Sequence, residues 1–380
     1  MIPTTIPNPT TLPTTSSLSF WQRPPVLAVL GALLLWSGWP PHPNAGLSLL
    51  LLLAWVPYLL LERQLTQQNA RKRRVFANTY LMLVLWNALT TWWVGNTTVP
   101  ASGVAAVVLN ALLMCLPLMA FRQTKQRFGN RLGYLSLPVY WLAFEQFHLS
   151  WDVTWPWLTL GNGFAAAPQW VQWYEYTGFL GGSVWVWVVN LLVFWAWFGI
   201  AGFSLWAASQ QRRWGLVLLA GALPILVSLE IGQYYQEKGP TTEVVVVQPN
   251  IDPYNEKFAA GAGYMSPDAQ LTRLLDLSAQ HLTPQTRLLV WPETALADPH
   301  WENKIEGSPE IQRIRAWLGQ HPGTALLTGI TTLTPYPSKE AASETARYRD
   351  DLGYYDVFNS TAYFVDATTP IVFYHKSRLV

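Results

Sequence analysis

Leu288-Leu289-Val290-Trp291-Pro292-Glu293-Thr294-Ala295 is an apolar run that stops abruptly at a Pro-Glu pair. Three aliphatic residues and a tryptophan have the composition of a buried strand, and proline ends it. Such a strand delivers one carboxylate, Glu293, to the rim of a sheet. A plainer reading makes Pro292 the breaker before a helix or loop and leaves Glu293 solvated. The surroundings decide between the two.

Downstream of Gly239-Pro240 the composition is that of a layered α/β domain. Thr242–Val247 is a β-branched run and reads as a buried strand. Ser266-Pro267-Asp268 reads as an N-cap with proline at the first helical position, opening a helix to about His281. Ser308-Pro309-Glu310 opens a second helix, with Ile311, Ile314 and Trp317 on one face. Thr324–Thr331 is a third strand and 332–356 a polar loop. Val357–Val365 and Ile371–Tyr374 form a strand pair turned at Asp366–Pro370. Strands alternating with helices predict a layered sheet over 240–380.

Upstream the chain is of another kind. Of the 380 residues 51% are hydrophobic and 12% charged, against roughly 25% charged in an ordinary soluble domain. With 22 tryptophans available for interfacial belts, this composition predicts a membrane protein. Residues 1–24 are rich in Thr, Pro and Ser and read as a disordered tail. Seven apolar segments follow, at about 26–39, 45–61, 76–94, 101–121, 133–149, 183–208 and 214–230, and give a transmembrane domain over 25–232. Alternate loops differ sharply in charge. Those at 62–75, 122–132 and 209–213 carry Arg63, Arg71, Lys72, Arg73, Arg74, Arg122, Lys125, Arg127, Arg131, Arg212 and Arg213. Those at 40–44, 95–100 and 150–182 carry no Lys or Arg. The positive-inside rule then places the N-terminus in the cytoplasm and, after seven spans, everything beyond 230 outside.

The outer loop at 150–182 mixes Trp151, Trp155, Trp157, Trp170 and Trp173 with proline and glycine, and reads as a re-entrant or amphipathic segment at the outer leaflet. Glu145 sits inside the fifth apolar segment. An intramembrane carboxylate is costly, so it is either functional or a hydrogen-bonded structural residue. Cys115, the sole cysteine, lies mid-span without a sequence-local histidine or carboxylate and reads as a small buried hydrophobe. The six histidines show no ligand spacing, so no metal is expected. No basic run is interleaved with aromatics as in nucleic-acid binders.

The last strand runs into Lys376 as the second runs into Glu293. Two strands that each end in one ionisable group point to a shared rim. There a carboxylate serves as general base and an ammonium stabilises an oxyanion. This is half of an acyl-transfer site, because a nucleophile is missing.

Several pieces in order carry a resemblance: Trp155-Pro156-Trp157-Leu158 with Gly161; Gly178 through Asn190; Val247-Gln248-Pro249-Asn250-Ile251; Val290 through Ala295; Asn359-Ser360; and Tyr374-His375-Lys376-Ser377-Arg378-Leu379-Val380. The chain resembles the apolipoprotein N-acyltransferases, bacterial inner-membrane enzymes of the nitrilase superfamily. The resemblance implies a polytopic helical membrane domain followed by a periplasmic nitrilase-like α-β-β-α sandwich, incomplete here. It implies Glu293 as base, Lys376 as oxyanion stabiliser, and a nucleophilic cysteine beyond Val380, since the family motif continues past Leu379-Val380. The donor would be a phospholipid of the phosphatidylethanolamine type. The acceptor would be the diacylglyceryl-cysteine amine of an apolipoprotein. No cofactor is implied, and a monomer is expected. Phe258 falls at a position that often carries Trp, and with Trp155, Trp157 and Glu145 it is a candidate substrate-binding residue. The 380-residue form, lacking that cysteine, is expected to be inactive. Rival readings are a membrane-anchored nitrilase-type amidase and a non-catalytic lipid-binding membrane protein.

Overall fold

The computed structural model describes residues 19–40, 44–96, 100–200, 209–257 and 263–377. It divides into two compact units, Met1–Gln236 and Glu237–Val380. Most of the tail read at 1–24, the end of the segment read at 183–208, and Phe258 lie outside the described residues.

The first unit is helical: α1 (Pro24–Ser37), α2 (Val56–Gln67) preceded by a 3-10 stretch (Ala45–Leu52), α3 (Lys72–Thr91), α4 (Pro100–His148), α5 (Tyr174–Phe198) and α6 (Gln210–Tyr234). Four stretches, Gly46–Gln67, Ala101–His148, Tyr174–Phe198 and Gln210–Tyr234, are long and apolar enough to cross a membrane, and α1 is shorter. Helix α4 is a hairpin and not one rod. Gly129 holds φ 83° and ψ 174° inside it. The Thr124 and Tyr140 hydroxyls then meet at 2.9 Å. His148 Nε2 reaches Asn110 Oδ1 at 2.8 Å. In a straight helix those pairs would be about 24 and 57 Å apart. The segments expected at 101–121 and 133–149 are thus two arms, but the intervening 122–132 is mostly helix, not loop.

Aromatic packing joins the helices. The Trp55 ring lies 6.0 Å from Trp86 on α3, 4.7 Å from Trp141 on α4 and 4.6 Å from Trp187 on α5. All four rings are fully buried. These tryptophans are core rather than interfacial belt, because edge-to-face indoles fill wide gaps between helices. Asn190 repairs the break between the 3-10 stretch and α2: its Nδ2 donates to Leu51 O at 2.8 Å and its Oδ1 accepts from Trp55 N at 2.9 Å. Backbone groups freed by such a break need partners in an apolar setting.

Two of the loop cations counted above are not solvated. Arg122 and Lys125 are each 5% exposed and converge on Glu62, which is fully buried. Arg122 Nη1 lies 3.5 Å from Glu62 Oε1, and Lys125 Nζ is bonded to Oε2. Buried charges persist only when paired.

The loop read at the outer leaflet turns inward over much of its length. Leu158, Leu160, Phe164, Ala167 and Val171 are buried. At Gly161 a Cβ would come within 1.8 Å of Phe179 O on α5, so only glycine allows this approach.

Among its described residues the second unit is a seven-stranded mixed sheet with two α-helices. The strands are β1 (Glu243–Val246), β2 (Thr286–Val290), β3 (Leu296–Trp301), β4 (Ala325–Tyr336), β5 (Arg347–Arg349), β6 (Gly353–Phe364) and β7 (Val372–His375), and the helices are α7 (Pro267–His281) and α8 (Pro309–Gly319). The order is β1-β2-β4-β6-β5, with β3 also beside β4 and β7 beside β6. Strands β1, β2, β3 and β4 run parallel, and β6 is antiparallel to β4, β5 and β7. Leu271, Leu274, Ile311, Ile314 and Leu318 of the helices share a core with Leu289, Leu326, Ile330 and Phe364 of the sheet. The Ser266 hydroxyl caps α7 by accepting from Ala269 N. The polar loop expected at 332–356 is instead the far half of β4, then β5 and the start of β6; pairing of Tyr336 with Tyr354 extends the ladder through polar sequence. Strand β3 was not expected, because Asp298-Pro299 is poor strand sequence.

Candidate active site

Strands β2 and β3 lie along the same edge of β4. Leu288, Leu289 and Val290 pair with Ala325, Leu326 and Leu327; Leu296 resumes the pairing at Ile330. Pro292-Glu293-Thr294 is the interruption between them. The strand end is anchored on both sides. Trp291 N donates to Leu327 O at 2.9 Å, and its indole Nε1 donates to Ser278 Oγ of α7 at 2.9 Å. Gly329 N donates to Pro292 O at 3.2 Å, and Ala295 N does the same. Thr294 turns the chain with a left-handed φ of 49°. Gly329 makes this possible. A Cβ there would stand 2.4 Å from Thr294 N and 2.6 Å from Glu293 Cα. The interruption therefore lies flat on β4 only because residue 329 has no side chain.

Glu293 is brought together with Lys376. Strand β7 pairs with β6 so that His375 faces Ser360. One residue on, Lys376 N donates to Asn359 O at 2.9 Å. Lys376 Nζ lies 3.2 Å from Glu293 Oε1. The Asn359 side-chain amide donates to the same oxygen. Those two hydrogen bonds, Asn359 first and then Lys376, hold the Glu293 carboxyl below its ordinary range despite some desolvation. The charges of Lys376 and Lys257 act in the same direction. The result is a carboxylate held in its charged form beside an ammonium. Both open on a cleft of about 260 Å³ lined by Trp291, Thr328, Gly329, Thr361 and Tyr374 among others. The Glu293 side chain is 64% exposed and Lys376 35%.

Asn359, Gly329 and Lys257 were not singled out from sequence as site residues. Asn359 was visible only as part of a motif. Gly329 is an unremarkable glycine in a strand, although such a residue does mark close backbone approach.

The remaining candidates lie in the first unit. Glu145 is 4% exposed. Its Oε1 accepts from Trp141 Nε1 at 2.7 Å and from Leu160 N at 2.8 Å. It thus ties α4 to the inward-turned loop. Trp155 is half-buried and shares with Glu145, Asn110 and His148 the lining of a small cavity. Trp157 is 49% exposed and packs edge-on against Trp93 at 5.3 Å. Cys115 is buried, its thiol bonded to Ala111 O at 3.4 Å. Among the described residues, no group of three or more His, Cys, Asp or Glu could hold a metal ion.

Residues 31–192 match the model of the apolipoprotein N-acyltransferase N-terminal domain. The chain is also 29% identical over 366 residues to the apolipoprotein N-acyltransferase of Chlorobaculum tepidum. The alignment covers 94% of this chain and 64% of that relative, so the chain spans just under two thirds of the relative's length. At that coverage it takes in most of both units, whereas the domain model matches the first unit only.

Proposed function

We propose that this chain carries the membrane unit and the base-bearing part of the catalytic unit of a lipoprotein N-acyltransferase. The observation that carries the reading is the Lys376 ammonium 3.2 Å from the Glu293 carboxylate at a sheet rim, in a chain similar along its length to such an enzyme. In the first half-reaction Glu293 takes the proton of a cysteine thiol, which the family resemblance supplies beyond Val380. The thiolate attacks the acyl ester carbonyl of a phospholipid of the phosphatidylethanolamine type. Lys376 faces the oxyanion of the tetrahedral intermediate. On collapse the glycerol oxygen leaves with the proton from Glu293, giving a thioester and a lysophospholipid. In the second half-reaction the α-amino group of a diacylglyceryl-cysteine attacks the thioester. Glu293 takes the amine proton and returns it to the departing thiolate. No cofactor is required. The charge asymmetry of the loops supports an inner-membrane protein with a cytoplasmic N-terminus and a periplasmic second unit. We take the enzyme to be a monomer.

The test is complementation in cells depleted of their own enzyme, read as the mass of a lipoprotein N-terminus. The full-length protein adds one acyl chain, its Glu293→Gln variant does not, and Cys115→Ala does. Residues 1–380 alone add none. N-acylation by residues 1–380, or by Glu293→Gln, would overturn the reading.

A further inference from the structure

A second ammonium stands beside the Glu293 turn. Lys257 Nζ donates to Thr294 Oγ1 at 2.7 Å. We propose that Lys257 is a positioning residue of the Glu293 site: it holds the left-handed Thr294 turn and sets a second positive charge beside the carboxylate. This rests on the acyl-transfer reading above and adds a residue to it.

The argument begins with backbone strain. Thr294 is β-branched and sits at φ 49°, a left-handed conformation that persists only where its surroundings enforce it. From the sheet side the enforcing contacts are those of Pro292 O with Gly329 N and Ala295 N. From the other side it is Lys257. Asn250, just after β1, is also left-handed, at φ 52°. Strained residues therefore follow both of the adjacent parallel strands β1 and β2. The carboxyl ends of parallel strands are where open α/β sheets bind ligands.

Lys257 is itself held. Residues Pro253–Lys257 form one wide helical turn in which Asp252 O accepts from both Glu256 N and Lys257 N at 2.9 Å. Met265 N returns to Glu256 O at 2.8 Å. Gln270, 1% exposed in the first turns of α7, donates from Nε2 to Met265 O at 2.8 Å and to Lys257 O at 3.3 Å. A buried amide on α7 thus fixes the base of a lysine whose tip fixes the turn carrying Glu293. Among the described residues, the charged groups facing Glu293 are Lys376 at the end of β7 and Lys257. Asn359 of β6 and Tyr374 of β7 complete the surround. Partial burial lowers the Lys257 ammonium from its ordinary value, and the charge of Glu293 opposes that change. Each group therefore favours the charged form of the other.

The experiment is a carbon-13 titration of the Glu293 carboxyl, assigned by its loss in Glu293→Gln, in the chain and in Lys257→Gln, Lys257→Arg and Thr294→Val. Lys257→Gln should move the Glu293 midpoint to higher pH. Lys257→Arg should restore it, because a charge that only packed would not be rescued by charge. Thr294→Val keeps the shape of the turn and removes the tether, so it should move the midpoint in the same direction as Lys257→Gln. That variant covers the case in which Lys257→Gln does not fold. In the full-length enzyme the acid limb of acyl-enzyme formation should move with the midpoint. A Glu293 midpoint unmoved in both Lys257→Gln and Thr294→Val would overturn the proposal. Acyl-enzyme formation surviving Glu293→Gln would instead overturn the acyl-transfer reading, whatever the titration shows.

Discussion

Lys376 Nζ meets Glu293 Oε1 at 3.2 Å across 83 residues of chain. Neither residue lies inside a strand. Each follows one, and the two strand ends are brought level by β4 and β6, which separate them in the sheet. The pair is therefore a product of register: a slip of one residue in the β6–β7 ladder would turn Lys376 to the opposite face.

On the acyl-transfer function proposed above, Lys376→Met in the full-length protein should lower the rate of acyl-enzyme formation by about 10²–10³-fold, the loss typical of a donor to a developing oxyanion. Burst-phase labelling with a fluorescent phospholipid measures it. Binding of the lipid should change far less than the rate, since an oxyanion exists only during reaction.

Gly329→Ala should displace the Pro292–Thr294 turn, because the new methyl would stand 2.4 Å from Thr294 N and within 2.6 Å of Glu293 Cα. Both obstacles are backbone and cannot rotate away. The expected loss is roughly 1–3 kcal/mol of stability, typical of overpacking. Chemical denaturation measures that loss, and the carbon-13 signal of Glu293 should move as well.

His300 gives the second unit a pH-dependent contribution with a definite sign. Burial alone would lower its imidazolium, but Glu310, 2.9 Å from Nε2, together with the backbone carbonyl and charge of Asp298, more than offsets this and raises it. A raised folded value means that the stabilisation is fully present below the unfolded value, near 6.5, and is lost as pH rises through the folded one. Urea midpoints measured from pH 5 to 9 should fall over that window. Glu310→Gln should flatten the fall.

Glu145→Ala should loosen the inward-turned loop of the first unit. It strands two buried donors, Trp141 Nε1 and Leu160 N, at a cost on the order of 2–4 kcal/mol for the pair. Glu145→Gln keeps one acceptor oxygen and should cost less. Limited proteolysis between Trp151 and Trp170 distinguishes the two variants.

The sequence showed what depends on local chemistry. Pro292 marks the strand end, Ser266-Pro267 opens α7, and the charge-free loops punctuate the spans. It also exposed Glu293 and Lys376, because an ionisable group directly after an apolar run is conspicuous. It did not expose Gly329 or Lys257, whose roles come from what lies opposite them: the Pro292–Thr294 backbone in one case and a threonine hydroxyl 37 positions away in the other. Strand β3 was hidden by Asp298-Pro299, since its pairing is imposed by the exposed edge of β4 rather than by its own propensity. Composition likewise could not tell that Trp55, Trp86, Trp141 and Trp187 face one another instead of lipid. Interfacial and core tryptophans read alike in one dimension.

The buried cluster of Glu62, Arg122 and Lys125 has a direction in time. The chain is synthesised from its N-terminus, so the anion on α2 exists before either cation on the first arm of α4 leaves the ribosome. When the hairpin about Gly129 enters the bilayer, its two inward cations meet a partner already in place. Moving Glu62 to the far side of the hairpin in sequence, by circular permutation, would leave the static contacts untouched. It would oblige Arg122 and Lys125 to wait unpaired, and insertion of α4 should then slow while the finished bundle stays the same.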